Sequence, residues 1–283
     1  MPTIVHLSDL HFGREDPRVV AALSAQLNRD PPDLIAVSGD FTQRATNAQF
    51  AAASRFFDGL PAPRIAVPGN HDIPLYNVFK RTFFPLANFR RHIAQTMRPT
   101  FDDGQLCVVG LNSARRLGRR WRGFWKDGIL RESDVAYACK VFASTTAPLR
   151  LLVAHHPVRV EHDFLQGDVV RLGRQALRAL AAAGCDAILY GHIHVPHAIL
   201  GVEESIQAPR SMLCVMAGTA TSVRMRLGSA NSYNRLWFDG DRCAIDVMVW
   251  DETTFVPSLS RTFTRDAAGW VEDVDKIGES VSR

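Results

Sequence analysis

The chain has 283 residues, 46% of them apolar and 22% charged, which suits a globular protein long enough to bury a large core and excludes a disordered or fibrous one. No apolar run approaches the ~18 residues of a bilayer span, and Thr3 opens a strand-like run with no basic and apolar leader before it, so neither a membrane span nor a signal peptide is expected. The net charge of +4 is unevenly spread: Ile73 to Lys126 holds eleven basic residues against two acids, a balance of +9 that leaves −5 for the remainder and points to an anionic partner near that segment.

Thr3 to Ser8 reads as a buried strand that delivers Asp9 and His11 at its end. Two residues apart, they project to one side of an extended backbone, which lets a carboxylate and an imidazole grip one metal ion. Pro17 to Asn28 spaces Val19, Val20, Leu23 and Leu27 as a covering helix with proline at its start. Asp33 to Ser38 is a second buried strand ending in Gly39-Asp40, where open α/β sheets place ligands. Asn47 to Phe57 reads as another helix. Arg64 to Val67 is a third strand, stopped by Pro68-Gly69 and followed at once by Asn70, His71 and Asp72. These offer an amide oxygen, an imidazole and a carboxylate able to orient that ring, though the same residues also make an ordinary turn.

Ile73 to Pro99 breaks the alternation. Tyr76, Phe79, Phe83, Phe84 and Phe89 stand among basic residues and Pro85 interrupts any helix, so two short helices in an insertion beside the site are expected. Leu106 to Asn112 is a strand leading to Asn112-Ser113. Ala114 to Lys126 packs six basic residues with Trp121, Phe124 and Trp125, a pattern that fits either a solvated basic loop or a patch facing anions or a membrane surface. Arg131 to Ser144 reads as a helix and Arg150 to Ala154 as a strand ending in His155-His156-Pro157. Gly173 to Ala183 is a helix stopped by Gly184, and Asp186 to Tyr190 a strand ending in Gly191-His192-Ile193-His194, again with histidines at alternate positions.

From His197 to about Thr264 short β-like runs take over, with an Asp-Gly hairpin turn at Asp239-Gly240; these are expected to form a second sheet stacked on the first. Residues 1–265 then read as one domain with a basic aromatic insertion at about 73–126, and 266–283 as a peripheral tail. Five scattered cysteines without a CxxC pair read as reduced core thiols of a cytoplasmic protein.

Taken in order, Asp9-x-His11, Gly39-Asp40, Gly69-Asn70-His71-Asp72, His155 and Gly191-His192-x-His194 resemble the motif series of the calcineurin-like metallophosphoesterases. Length and the Gly110-Leu111-Asn112-Ser113 run make the chain similar to the cyclic-nucleotide phosphodiesterase-like (class III) branch. The resemblance implies an α/β fold, a four-layer αββα sandwich of two mixed sheets with flanking helices, and a two-metal site at the strand ends. Carried over position by position, it implies one metal held by Asp9, His11, Asp40 and His194. The other is held by Asp40, Asn70, His155 and His192, with Asp40 bridging. His156 and Asn112 are then candidate substrate contacts; Arg224, in the small polar and basic run from Met216 to Arg226 after a strand, is another, and the same run also fits an ordinary loop with solvated arginines. Ile193 stands where the family usually has threonine.

The donor set carries its own chemistry. Two cations about 3.5–4 Å apart lower the pKa of a shared water from about 15.7 toward neutrality and neutralise charge during in-line displacement. His71 is placed to give a proton or a hydrogen bond to the leaving oxygen, with Asp72 orienting the ring. Mixed oxygen and nitrogen donors suit Mn, Fe, Zn or Co without choosing among them. The expected protein is therefore a binuclear hydrolase of a small or cyclic-nucleotide-like phosphodiester. The basic aromatic insertion supports an alternative, an enzyme peripheral at the inner membrane surface that acts on a lipid-linked pyrophosphate such as UDP-diacylglucosamine. A nuclease ranks third, because no DNA-reading element is recognisable. A scaffold that has lost catalysis is disfavoured by the retention of every ligand position and His71.

Overall fold

Central strands buried on both faces appear in sequence as continuous apolar runs, and covering helices as apolar residues three and four apart. A computed structural model describes residues 1–116, 128–158, 173–200, 208–224 and 228–273. The basic aromatic run from Arg119 to Lys126, Arg226 and the tail beyond Asp273 lie outside the described residues.

In chain order the elements are β1 (Thr3–Leu7), α1 (Pro17–Arg29), β2 (Leu34–Val37), α2 (Asn47–Asp58), β3 (Arg64–Ala66), α3 (Val78–Phe83), α4 (Ala87–His92), β4 (Thr100–Asp102), β5 (Leu106–Gly110), α5 (Glu132–Ser144), β6 (Leu149–Val153), α6 (Gly173–Ala182), β7 (Ala187–Tyr190), β8 (His197–Leu200), β9 (Leu213–Met216), β10 (Ser232–Asp239), β11 (Arg242–Trp250), β12 (Phe255–Asp266) and β13 (Gly269–Glu272). They build two mixed sheets, in the orders β13-β12-β11-β10-β1-β2-β3 and β4-β5-β6-β7-β9-β8. The strands β1, β2 and β3 run parallel, as do β5, β6, β7 and β9.

The period-two alternation of each strand sorts its side chains into layers. Ile4, Leu34, Ala36, Val108, Leu151, Val153 and Leu189 meet between the sheets. Their neighbours Val5, Leu7, Ile35 and Val37 face α1, α2 and α4 on one outer side, and Cys107, Val109, Leu152 and Ile188 face α5 and α6 on the other. The result is a four-layer αββα sandwich. Helix α1 buries Val19, Leu23 and Leu27 and starts at Pro17 behind an Asp16 cap, as its spacing requires.

Three expectations change. The C-terminal strands do not form a separate sheet: β10 pairs antiparallel with β1, so the β10–β13 meander extends the first sheet, while β8 and β9 complete the second. Apolar runs buried on both faces look alike in sequence, so sheet membership is decided by pairing across the chain rather than by the local pattern. The tail expected from Asp266 begins later, because Gly269–Glu272 forms the edge strand β13 and Trp270 is buried. The insertion is also less separate than expected, since α4 sends Phe89 into the core against Phe41 and Phe50. Its charge is partly structural as well: buried Arg81 donates to the Pro74 carbonyl and Arg98 pairs with Asp134 at 2.6 Å. The five cysteines are free, and four of them are buried.

Candidate active site

Five loops at the C-terminal ends of β1, β2, β3, β6 and β7 bring Asp9, His11, Asp40, Asn70, His155, His192 and His194 together, all of them buried. The local backbone is not the extended one expected. Asp9, His11, Asp40, His192 and His194 all have φ between 50° and 77°, and they are five of the seven non-glycine residues in that region among the described residues. Each such residue costs of order 1–3 kcal/mol and persists only where its surroundings hold it. Hydrogen bonds from Asp9 N to the Gly39 carbonyl and from His11 N to the Asp40 carbonyl suture the first two loops. Thr219 Oγ1 and Thr221 Oγ1, in the loop after β9, donate to the carbonyls of Asp9 and Leu10 at 2.7 Å. Gly69 and Gly191 are required by close approach, because a Cβ would enter the Asp40 carboxylate at Gly69 and would meet the Ser8 hydroxyl and then the Asp9 carboxylate at Gly191.

The two carboxylates are each half occupied. Asp9 Oδ2 accepts from Ser8 Oγ at 2.6 Å and from His192 N at 2.9 Å, which leaves Oδ1 buried without a hydrogen bond, 3.1 Å from His194 Nε2 and 3.5 Å from His11 Nε2. Asp40 Oδ1 accepts from His71 N at 2.8 Å, which leaves Oδ2 between His155 Nε2 at 3.4 Å and His11 Nε2 at 3.8 Å. The imidazoles are oriented from behind: His155 Nδ1 donates to the Ser38 carbonyl at 2.8 Å and His194 Nδ1 to the Arg224 carbonyl at 3.0 Å. In the neutral rings this leaves Nε2 as an acceptor aimed inward. His194 Nε2 then faces His11 Nε2 at 3.2 Å and His155 Nε2 faces Asn70 Oδ1 at 3.1 Å. Imidazole nitrogens, carboxylate oxygens and an amide oxygen thus converge on one region, and this set of lone-pair donors fits metal cations.

The electrostatics agree. Burial pushes the Asp40 carboxyl up, but His155 and His71 outweigh it and hold the group well below the usual carboxylate range. Burial lowers the His155 imidazole, yet Asp40 and then Asp9 drive it up to about 9, and Asp9 likewise raises His194 against its burial. His192 is held well below its ordinary value, first by burial and then by its neighbours His156 and His155. The cluster thus has a deep negative potential at Asp9 and Asp40 and a neutral imidazole at His192.

One expected role changes. The Asp72 carboxylate does not orient His71. It accepts from Gly69 N, Phe41 N, Thr42 N and Thr42 Oγ1 at 2.9–3.2 Å, tying the loop after β2 to the turn after β3. The His71 ring is held instead by Nδ1 donating to the Gln43 carbonyl at 2.9 Å. Burial and then the charge of Asp40 push the Asp72 carboxyl up to about 7, against its N–H donors. Asp72→Asn is therefore expected to lower both Tm and metal content, since each buried donor left unpaired costs about 1–3 kcal/mol. Unchanged thermal melting and metal content with slower turnover alone would restore the orienting role. Asn112 Oδ1 caps Ala114 N at 2.9 Å, and the adjacent Ser113 Oγ meets His156 Nδ1 at 2.9 Å. His155 rather than His156 faces Asp40, although His156 stands close enough to share a ligand with His155 and His192. Arg224 Nη1 lies 3.5 Å from His71 Nε2. Gln43, Ser8 and Ser38 were not singled out from the sequence, because each acts through a backbone group or a neighbour and carries no metal-binding signature of its own.

The family profile described as calcineurin-like phosphoesterase matches residues 2–196. The chain belongs to the calcineurin-like phosphoesterase family. It is 26% identical over 168 residues to a probable glycerophosphodiester phosphodiesterase GpdQ of Arcobacter nitrofigilis (58% of this chain, 57% of that one). It is 29% identical over 122 residues to a GpdQ of Enterobacter lignolyticus (39% and 43%), so the chain spans about half the length of these two relatives. A probable cyclic nucleotide phosphodiesterase of Synechococcus sp. is 23% identical over 207 residues (68% and 73%). In fold, the chain is similar to a purple acid phosphatase from yellow lupin (TM-score 0.70, 12% identity, 94% and 54% covered) and a dimetal phosphatase from Danio rerio (TM-score 0.59, 13% identity, 90% and 98% covered).

Proposed function

We propose that this family member is a binuclear metal-dependent phosphodiesterase acting on a small phosphodiester. The observation that carries the reading is the position of Asp40 Oδ2 between His155 and His11, with its other oxygen pinned by His71 N. Asp9, His11, Asp40 and His194 would hold one cation, and Asp40, Asn70, His155 and His192 the other. Bound there, the metals (Mn, Fe, Zn or Co) would supply Lewis acidity and a nucleophile drawn from water. The relatives named for cyclic nucleotide and glycerophosphodiester hydrolysis support a diester over a monoester.

The chain's own residues do the rest. His71, its Nδ1 anchored on the Gln43 carbonyl, presents Nε2 on the open side of the cluster. The attacking water gives up one proton to solvent as its oxygen bonds to phosphorus and the P–O bond to the leaving group breaks; the imidazolium form of His71, which burial disfavours, carries the Nε2 proton that passes to the leaving oxygen. Arg224, beside Nε2, offers a cation to a phosphoryl oxygen. Metal-dependent turnover of bis(p-nitrophenyl) phosphate, faster than that of p-nitrophenyl phosphate, tests the reading. No turnover of either with any of the four metals would turn it toward a non-catalytic scaffold.

A second reading places the reaction at a membrane surface. Tyr76, Val78, Phe79, Phe83 and Phe84 are all exposed; Phe79 and Phe83 are each 64% exposed and their rings lie 5.0 Å apart. Exposed Lys80, Arg90, Arg91 and Arg116 flank them. An apolar patch rimmed by cations suits an anionic bilayer, at ~1 kcal/mol per Lys or Arg near the surface. Among the described residues no helix is long and apolar enough to cross one. Vesicles containing anionic phospholipid are expected to bind the protein at low salt and release it as the Debye length falls from ~10 Å at 0.1 M to ~3 Å at 1 M. Phe79→Ser with Phe83→Ser should weaken that binding. Indifference to anionic vesicles at low salt removes this reading, and a strong preference for single-stranded DNA favours the nuclease.

A further inference from the structure

Beyond His71 the site opens into a cleft of about 360 Å³ lined by Arg14, Gln43, Arg44, Leu75, Tyr76 and Arg224. Its three arginines come from three separate loops, after β1, β2 and β9, and all three are exposed. Among the described residues none of them pairs with a carboxylate. The nearby acids are engaged elsewhere: Glu15 accepts from Gly13 N, and Asp16 caps α1 and pairs with Arg18 at 2.8 Å. Neutral groups hold the guanidiniums instead. Arg44 lies over the Tyr76 ring at 5.0 Å, and Arg224 donates to Gln43 Oε1 at 3.2 Å. The charges of Arg44 and Arg224 are therefore positioned but not cancelled, and Arg14 adds a third exposed cation to the lining.

A single phosphodiester carries one negative charge, and the proposed metal cations with Arg224 already provide for it. The two further cations, Arg14 and Arg44, call for a second anion. With His71 at the leaving oxygen, the group attached to that oxygen would extend past Nε2 toward this cleft, whose lining includes His71. We propose that the cleft is an anion subsite for the leaving group, so that the favoured substrates are phosphodiesters or pyrophosphates whose leaving group itself carries a phosphate or carboxylate. This rests on the phosphodiesterase reading and on His71 standing at the leaving oxygen.

The test compares methyl 3-carboxyphenyl phosphate with methyl 3-carbamoylphenyl phosphate, which share the reacting phosphorus and differ in the distal charge. The variant is Arg14→Gln with Arg44→Gln; Arg224 is kept because it touches His71. Taking the wild-type-to-variant ratio of kcat/KM for each ester cancels intrinsic leaving-group reactivity. The ratio for the carboxylate is expected to exceed that for the amide by about tenfold or more, and the excess should shrink at high salt. Equal ratios, with bis(p-nitrophenyl) phosphate still hydrolysed, overturn the subsite alone. If the wild type hydrolyses no ester, the phosphodiesterase reading fails, and calorimetric binding of isophthalate then reads the cleft directly. Weaker binding by the double variant supports an anion site, and equal binding overturns it. The second anion has the same chemistry on a soluble ester or on a lipid headgroup. Presenting the carboxylate ester free and tethered in vesicles separates those sources.

Discussion

Asp40→Asn is expected to strip at least one of two metal ions and to cut turnover by ~10² or more, beyond what loss of a ligand's supporting partner alone causes. The carboxylate is buried, its Oδ1 is fixed by His71 N, and its Oδ2 lies between His155 Nε2 and His11 Nε2. An amide there removes a negative charge from a site of low effective dielectric and offers N–H groups where a metal needs a lone pair. Elemental analysis beside a turnover assay checks both effects. Two metals and full activity in the variant contradict the bridging role.

His71→Ala is expected to leave the metal content nearly intact and slow hydrolysis by ~10²–10⁴, the range for loss of a general acid. Its ring is tied to the Gln43 carbonyl, outside the proposed ligand set, so removing the side chain spares the metal ligands. The loss should shrink for p-nitrophenolate esters, whose leaving oxygen needs little help from a proton. Equal losses for good and poor leaving groups indicate positioning instead.

Both residues were legible in the sequence because their signals are local. An Asp after Gly at a strand end, and a Gly-Asn-His-Asp turn, need no knowledge of what lies opposite. The helices were legible for the same reason, since Val19, Leu23 and Leu27 declare a face by spacing alone. Features set by distant pairing were not. The sheet joined by β10 depends on Thr3 meeting Trp237, and no local pattern distinguishes that partner from another. Asp72 was misread because adjacency in sequence suggested that it orients His71, whereas its donors come from Gly69, Phe41 and Thr42. Asp9 and His11 come together by a different backbone from the one expected: left-handed turns, not strand alternation, bring them to 3.5 Å. That strain is sustained by Thr219 and Thr221, more than two hundred residues away along the chain.

Anomalous diffraction at the metal edge, from crystals grown with Mn, tests the central claim most directly. The expected map holds two peaks, one among Asp9, His11 and His194 and the other among Asn70, His155 and His192, with the Asp40 carboxylate reaching both. A single peak, or two peaks that do not share Asp40, would contradict the binuclear account.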